Sequence, residues 1–206
     1  MGRMDASLAT AFSASLPDWL VDDLDDFAAR PLGTVEQRMS LANELADRNW
    51  RAGNGGPFAA IVVDRASGAL VSMGVNVVLS TNLSGMHAEM MALSLAQRVV
   101  GRWDLGADGA DLELVVNWRP CVMCYGATMW SGVRALTIAG EGAEVEELTG
   151  FDEGPMPDDW AGAFERRGIR VSVGVGHDDA IAVFRAFGAS DAVVYNARGA
   201  TETGGA

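Results

Sequence analysis

Met86-His87-Ala88-Glu89-Met90 and Arg119-Pro120-Cys121-Val122-Met123-Cys124 are the two stretches on which the reading of this 206-residue chain turns. They set a histidine and a glutamate two residues apart. Then, 32 positions after the glutamate, come two cysteines at i and i+3 behind a proline. Imidazole nitrogen and thiolate sulfur are the donors a Zn2+ ion takes, and a catalytic zinc needs only three protein ligands because its fourth position is kept for water. His87, Cys121 and Cys124 supply three. Cysteines three apart on a helix share a face, and a helix N-terminus favours the thiolate over the thiol. Glu89 reaches past the metal without ligating it and is the candidate to move protons.

Scarcity sharpens this reading. Cys121 and Cys124 are the chain's two cysteines, and His87 and His177 its two histidines. A disulfide across so short a loop would be a poor stabiliser, whereas CxxC in a reducing compartment is metal-binding or redox-active. A purely structural zinc site would want a fourth ligand, and no cysteine remains. His177 is read as a solvated helix cap.

Working outward, Met86 to Val100 reads as a helix closed by Gly101, and Pro120 opens another that runs to about Ser131. Between them, residues 111–117 form a strand. Upstream, Thr34 caps a helix to Trp50 with Gln37 completing a capping box. The Gly53-Asn54-Gly55-Gly56-Pro57 breaker follows. Residues 58–63 and 69–79 are two apolar strands about the turn 64–68, the second broken near Gly74. Downstream come a strand 134–139, a short helix 142–148, an irregular stretch 150–159, a helix 160–167, a strand 169–175 and a helix 178–188. A hairpin followed by alternating strands and helices predicts an α/β fold, a three-layer α/β/α sandwich on a five-stranded mixed sheet. Residues 34–190 form the domain. Residues 1–33 are an acidic N-terminal extension, with Trp19, Leu20 and Phe27 on one face of a docked amphipathic helix. Residues 191–206 are a tail, Gly- and Thr-rich and disordered from Gly199.

Hydrophobic residues make up 49% of the chain, enough for a sizeable core. No apolar run approaches the ~18 residues of a membrane span, and the N-terminus lacks a secretory block. A cytoplasmic protein is expected. The formal charge is −13, with 28 acidic against 15 basic residues. Nucleic-acid polymers are bound largely through Lys and Arg on phosphates, so a small molecule is the expected partner and a polymer or membrane is not.

An H-x-E followed by P-C-x-x-C is the signature of zinc enzymes that hydrolyse an amino group from a nucleobase-like ring. With Gly55-Gly56-Pro57-Phe58, Gly74-Val75-Asn76, Thr81-Asn82 and Gly150-Phe151-Asp152, the chain resembles the cytidine-deaminase-like superfamily over about residues 34–187. It is most similar to the bacterial guanine deaminase branch. That resemblance implies a Zn2+-dependent deaminase of a free purine base, guanine first. A guanosine-type nucleoside, cytosine, an amino-triazine or a pterin are alternatives. A non-catalytic zinc-stabilised interaction module is the rival from another class.

The resemblance also implies site residues. Glu89 is the catalytic acid/base. Asn76 hydrogen-bonds the base, Asp152 reads the amidine edge of guanine, and Phe58 is an aromatic wall. The Ala88 and Cys121 N–H groups hold a carbonyl or oxyanion. Arg119 stands where the branch commonly has Glu and alters the pocket wall. A homodimer is implied, in which C-terminal segments exchange and residues 178–196, with Tyr195, cap the partner's site.

Overall fold

The computed structural model describes residues 8–196. The Gly199 tail and the first seven residues lie outside them. Five strands form one mixed sheet in the order β2-β1-β3-β4-β5: β1 Ala59–Asp64, β2 Leu70–Val75, β3 Leu112–Val116, β4 Ala135–Ile138 and β5 Arg170–Val173. β1 runs antiparallel to both neighbours, and β3, β4 and β5 are parallel.

Period-two alternation splits the strand side chains between two cores. Ala59, Ile61, Val63 and Val115 join one cluster, with Met39, Leu45, Phe184 and Phe187 of the helices α3 Val35–Arg51 and α9 His177–Gly188. Ala60, Val62, Leu114, Val116 and Leu136 join the other, under α5 Ala88–Val100, with Phe164 of α8 Trp160–Glu165 and residues of α6 Val122–Ser131 alongside. The expected three layers are therefore present. Among the described residues no helix is long and apolar enough to cross a membrane.

Local chemistry sets several boundaries. Thr34 accepts from the Gln37 N–H at 3.3 Å and the Gln37 side chain accepts from the Thr34 N–H at 3.1 Å, the reciprocal capping box expected at the start of α3. Gly74 does not break β2. A Cβ there would lie 2.2 Å from the Ala88 carbonyl oxygen, so glycine lets the first turn of α5 rest directly on the sheet.

The second strand is shorter than expected because α4 Val78–Thr81 follows it. The Asn76 side-chain oxygen accepts from the Val78 N–H at 3.2 Å, and the Asn54 carbonyl accepts from the N–H groups of Leu79 and Ser80, both at 3.1 Å. Those bonds turn the chain out of the ladder. Helix α6 also opens two residues later than expected, at Val122 rather than Pro120. The N-cap of α6 is Cys121, so the proline precedes the helix.

The N-terminal segment forms two short helices, α1 Asp18–Asp22 and α2 Leu24–Ala28, broken at Asp23. Leu20 and Phe27 are fully buried in the α3/α9 core. The Arg48 guanidinium lies over the Trp19 ring, 4.4 Å from its centroid, and bonds Asp23 at 2.8 Å.

Candidate active site

The site lies where β3 and β4 deliver their carboxyl ends, the usual ligand position in such sheets. His87 is the N-cap of α5 and Cys121 the N-cap of α6, both with extended backbone. Cys124 follows in the first turn of α6. The ligand atoms of His87, Cys121 and Cys124 all lie within 4.8 Å of one another, and Cys121 Sγ is 3.5 Å from His87 Nδ1. Among the described residues this is the one His/Cys/Asp/Glu group compact enough to hold a metal ion with such donors. The donor set, one imidazole and two thiols with a buried carboxylate beside them, fits zinc. His177 is not part of it. It begins α9, bonds Glu144 through Nε2 at 3.2 Å and packs against Trp118.

The electrostatics follow from burial and crowding. The hydrogen bond from Cys124 holds the Cys121 thiol down, to about 4, with help from His87. The same bond, together with burial, pushes Cys124 well up. Cys124 thus keeps its proton and donates to the Cys121 thiolate, and a dication among the three donors would supply the charge that makes both sulfurs thiolates. Burial lowers the His87 imidazolium, but the bond to Cys121 and the charge of Glu89 outweigh it, and the net shift is upward. Glu89, 5% exposed, is raised by burial first and by Cys121 second.

A cavity of about 190 Å³ opens onto His87 and Glu89. Phe58 is one wall, stacked edge-on to Phe151 at 5.4 Å. Its backbone is held by Asn117, which is completely buried: Asn117 Oδ1 accepts from the Ala59 N–H at 3.0 Å and Nδ2 donates to the Pro57 carbonyl at 2.9 Å. Trp118 and Arg119 line the cavity as well. Asn76 is buried next to it, its side-chain oxygen occupied by the N–H groups of Gly56 and Val78. Ala88 is the first residue of α5 and Cys121 the cap of α6, so their N–H groups stand at helix starts, where intrahelical partners are lacking.

The acid loop holds a residue that sequence reasoning missed. Asp152 sits at the cavity rim, exposed, and its Oδ1 accepts from the Gly154 N–H at 2.9 Å. Glu153 turns the other way. Burial, then the Cys121 and Glu89 charges, raise its carboxyl to about 8. Its carbonyl accepts from the Val122 N–H at 3.1 Å, which pins it beside the start of α6. No local pattern distinguishes these two adjacent acids.

Residues 195–196 return over the same cavity. Tyr195 packs on Phe151 at 4.9 Å. Asn196 accepts from the Asp152 N–H at 3.0 Å and donates to the Gly150 carbonyl at 2.7 Å. Tyr195 and Asn196, of the segment expected to act as a cap, thus line this cavity.

Residues 33–139 match the family described as the cytidine and deoxycytidylate deaminase zinc-binding region. The guanine deaminase of Bacillus subtilis is 36% identical over 118 residues, 57% of this chain and 71% of that protein. A solved structure of a guanine deaminase from Nitrosomonas europaea is 43% identical and superposes at a TM-score of 0.81, covering 90% of this chain and 100% of the other. Another structure, 44% identical over 88% of this chain and 99% of its own at a TM-score of 0.81, is a mutant protein in complex with 8-azaguanine. The motif, the fold and these relatives agree: the chain belongs to the cytidine and deoxycytidylate deaminase family of zinc enzymes, among its guanine deaminases.

Proposed function

We propose that this protein is a zinc-dependent hydrolase that converts guanine to its 2-oxo product, xanthine, with release of ammonia. The observation that carries the reading is the convergence of a His–Cys–Cys donor triad with a buried glutamate at one purine-sized cavity. His87, Cys121 and Cys124 would hold the zinc, which when bound would supply a water activated for attack at neutral pH.

The protein's side chains do the rest. Glu89, raised by burial, accepts a proton from the attacking water and returns it to the ring nitrogen next to C2. Glu89 then takes the remaining proton of the hydroxyl added at C2 and passes it to the amine, so that the C2–N bond breaks, C2=O forms and ammonia leaves. Glu153 is a second carboxyl able to hold a proton near neutral pH, close enough to Glu89 to be raised by its charge. It faces the amidine edge of the base, the role the family resemblance assigned to Asp152. Phe58 and Phe151, packed edge-on against each other, form one apolar wall against which the base lies.

A free base fits the enclosed space better than a nucleic-acid polymer, which the charge of −13 also disfavours. The intact Glu89 argues against a non-catalytic zinc module, since a scaffold has no use for a buried carboxyl beside its metal. An ammonia-release assay of the zinc-loaded protein over guanine, guanosine, cytosine and adenine tests the reading. Guanine should turn over fastest, and a preference for cytosine or a nucleoside would refute it.

A further inference from the structure

We propose that the Arg119 guanidinium, assisted by the Trp118 indole N–H, reads the O6/N7 edge of the purine and so fixes which ring carbon meets Glu89. The proposal deepens the guanine reading and rests on it.

Two cavity-lining residues each bury a nitrogen that has no hydrogen-bond partner among the described residues: Trp118 Nε1 and Arg119 Nε. Indole and guanidinium nitrogens can only donate. A buried donor left unpaired carries its desolvation cost with no return, so such donors gathered at one cavity point to acceptors on its ligand. Arg119 also forms no ion pair among the described residues, although three carboxyls line the cavity, Glu89, Asp152 and Glu153.

The cavity thus offers acceptors from its acids and unused donors from residues 118–119. Guanine is divided in the same way. Its N1–H and 2-amino groups donate along one edge, while O6 and N7 accept along another. A planar guanidinium fork matches two adjacent acceptors, as arginine does with guanine O6 and N7 in duplex DNA. Adenine places a donor amine where O6 would be, and cytosine has no second edge of this kind.

The main chain holds this pair of residues firmly. Arg119 N donates to the Gly140 carbonyl at 2.9 Å, and the preceding Asn117 is locked to Pro57 and Ala59. At Gly140 a Cβ would lie 2.4 Å from the Trp118 ring, so glycine there is what admits the indole.

The test compares guanine with 7-deazaguanine, which keeps O6 and the amidine edge but lacks the N7 acceptor. Ammonia release is measured for zinc-loaded wild type, Arg119→Met, Arg119→Lys and Trp118→Phe, with zinc content checked for each. Arg119→Met should lower kcat/KM for guanine by about 10- to 100-fold, mainly through KM. On 7-deazaguanine the wild type should start lower, and the same substitution should cost several-fold less. Arg119→Lys, which keeps the charge without the fork, should fall between, and it decides the matter if Arg119→Met fails to fold. Trp118→Phe should show a smaller loss with intact zinc.

Equal losses on the two bases would overturn the assignment to Arg119 while leaving guanine deamination standing. No ammonia from guanine with wild type would overturn both. Faster turnover of a guanine nucleotide than of the base, lost on substituting Arg119, would assign the guanidinium to a phosphate and overturn the proposal.

Discussion

Asp152 and Glu153 are adjacent, yet their carboxylates serve different surroundings. Asp152 accepts from the Gly154 N–H in an exposed loop, while Glu153, partly buried, lies within reach of the Cys121 and Glu89 charges. Glu153→Gln should therefore cut guanine turnover by about 100-fold or more, in the range of a lost acid/base group. Asp152→Ala should cost less than about tenfold, through a looser loop. Steady-state ammonia release decides between them, and the opposite ranking would return the base-reading role to Asp152.

Glu89→Gln removes the proton acceptor but preserves size. Turnover should fall by about 10²- to 10⁴-fold, with zinc content unchanged by metal analysis. Normal turnover would end the proposed mechanism.

Zinc binds the folded donor triad and so should stabilise the fold by mass action. Chelation should lower the melting temperature and abolish activity, and added zinc should restore both. Cys124→Ser should weaken zinc binding and shrink the chelator effect.

Arg38 and Glu113 form a buried ion pair between α3 and β3, at 5% and 2% exposure. Arg38 also donates to the Leu32 carbonyl at 2.7 Å, and Thr137 donates to Glu113. Arg38→Met alone strands a buried carboxylate and should cost about 3–5 kcal/mol in urea unfolding. Adding Glu113→Leu should recover much of that loss, because two apolar side chains need no desolvation.

The Glu144 carboxylate raises the His177 imidazolium against a smaller opposing effect of burial, and Asp178 adds to it. A raised folded-state pKa stabilises below the unfolded value of about 6.5 and is lost as pH rises through the folded value. The pair is partly exposed, so its worth is a few tenths of a kcal/mol. The melting-temperature gap between wild type and His177→Gln should be largest near pH 6 and vanish by about pH 9. A gap that does not change with pH would point to packing against Trp118 instead.

Much of this protein is written in short-range pattern. The triad was legible because histidine, proline and paired cysteines carry their meaning in spacings of a few residues, and helix caps place them. The three layers were legible because the strands alternate or run apolar between helical stretches, and Thr34 and Gln37 mark a helix start by direct contact. Sequence also favoured a single docked helix near Trp19, but Asp23 bends away to meet Arg48, a bond spanning 25 positions.

The substrate edge of the site was decided elsewhere. Whether Asp152 or Glu153 faces the metal depends on Val122, Gly150 and Asn196. Whether Asn117 serves substrate or backbone depends on Pro57 and Ala59, about 60 positions away. A loop side chain has no period to fix its direction, so contacts from distant parts of the chain fix it. Sequence by itself therefore determined the reaction and the fold, and the tertiary contacts decided which of two adjacent carboxyls lies within reach of the Cys121 and Glu89 charges.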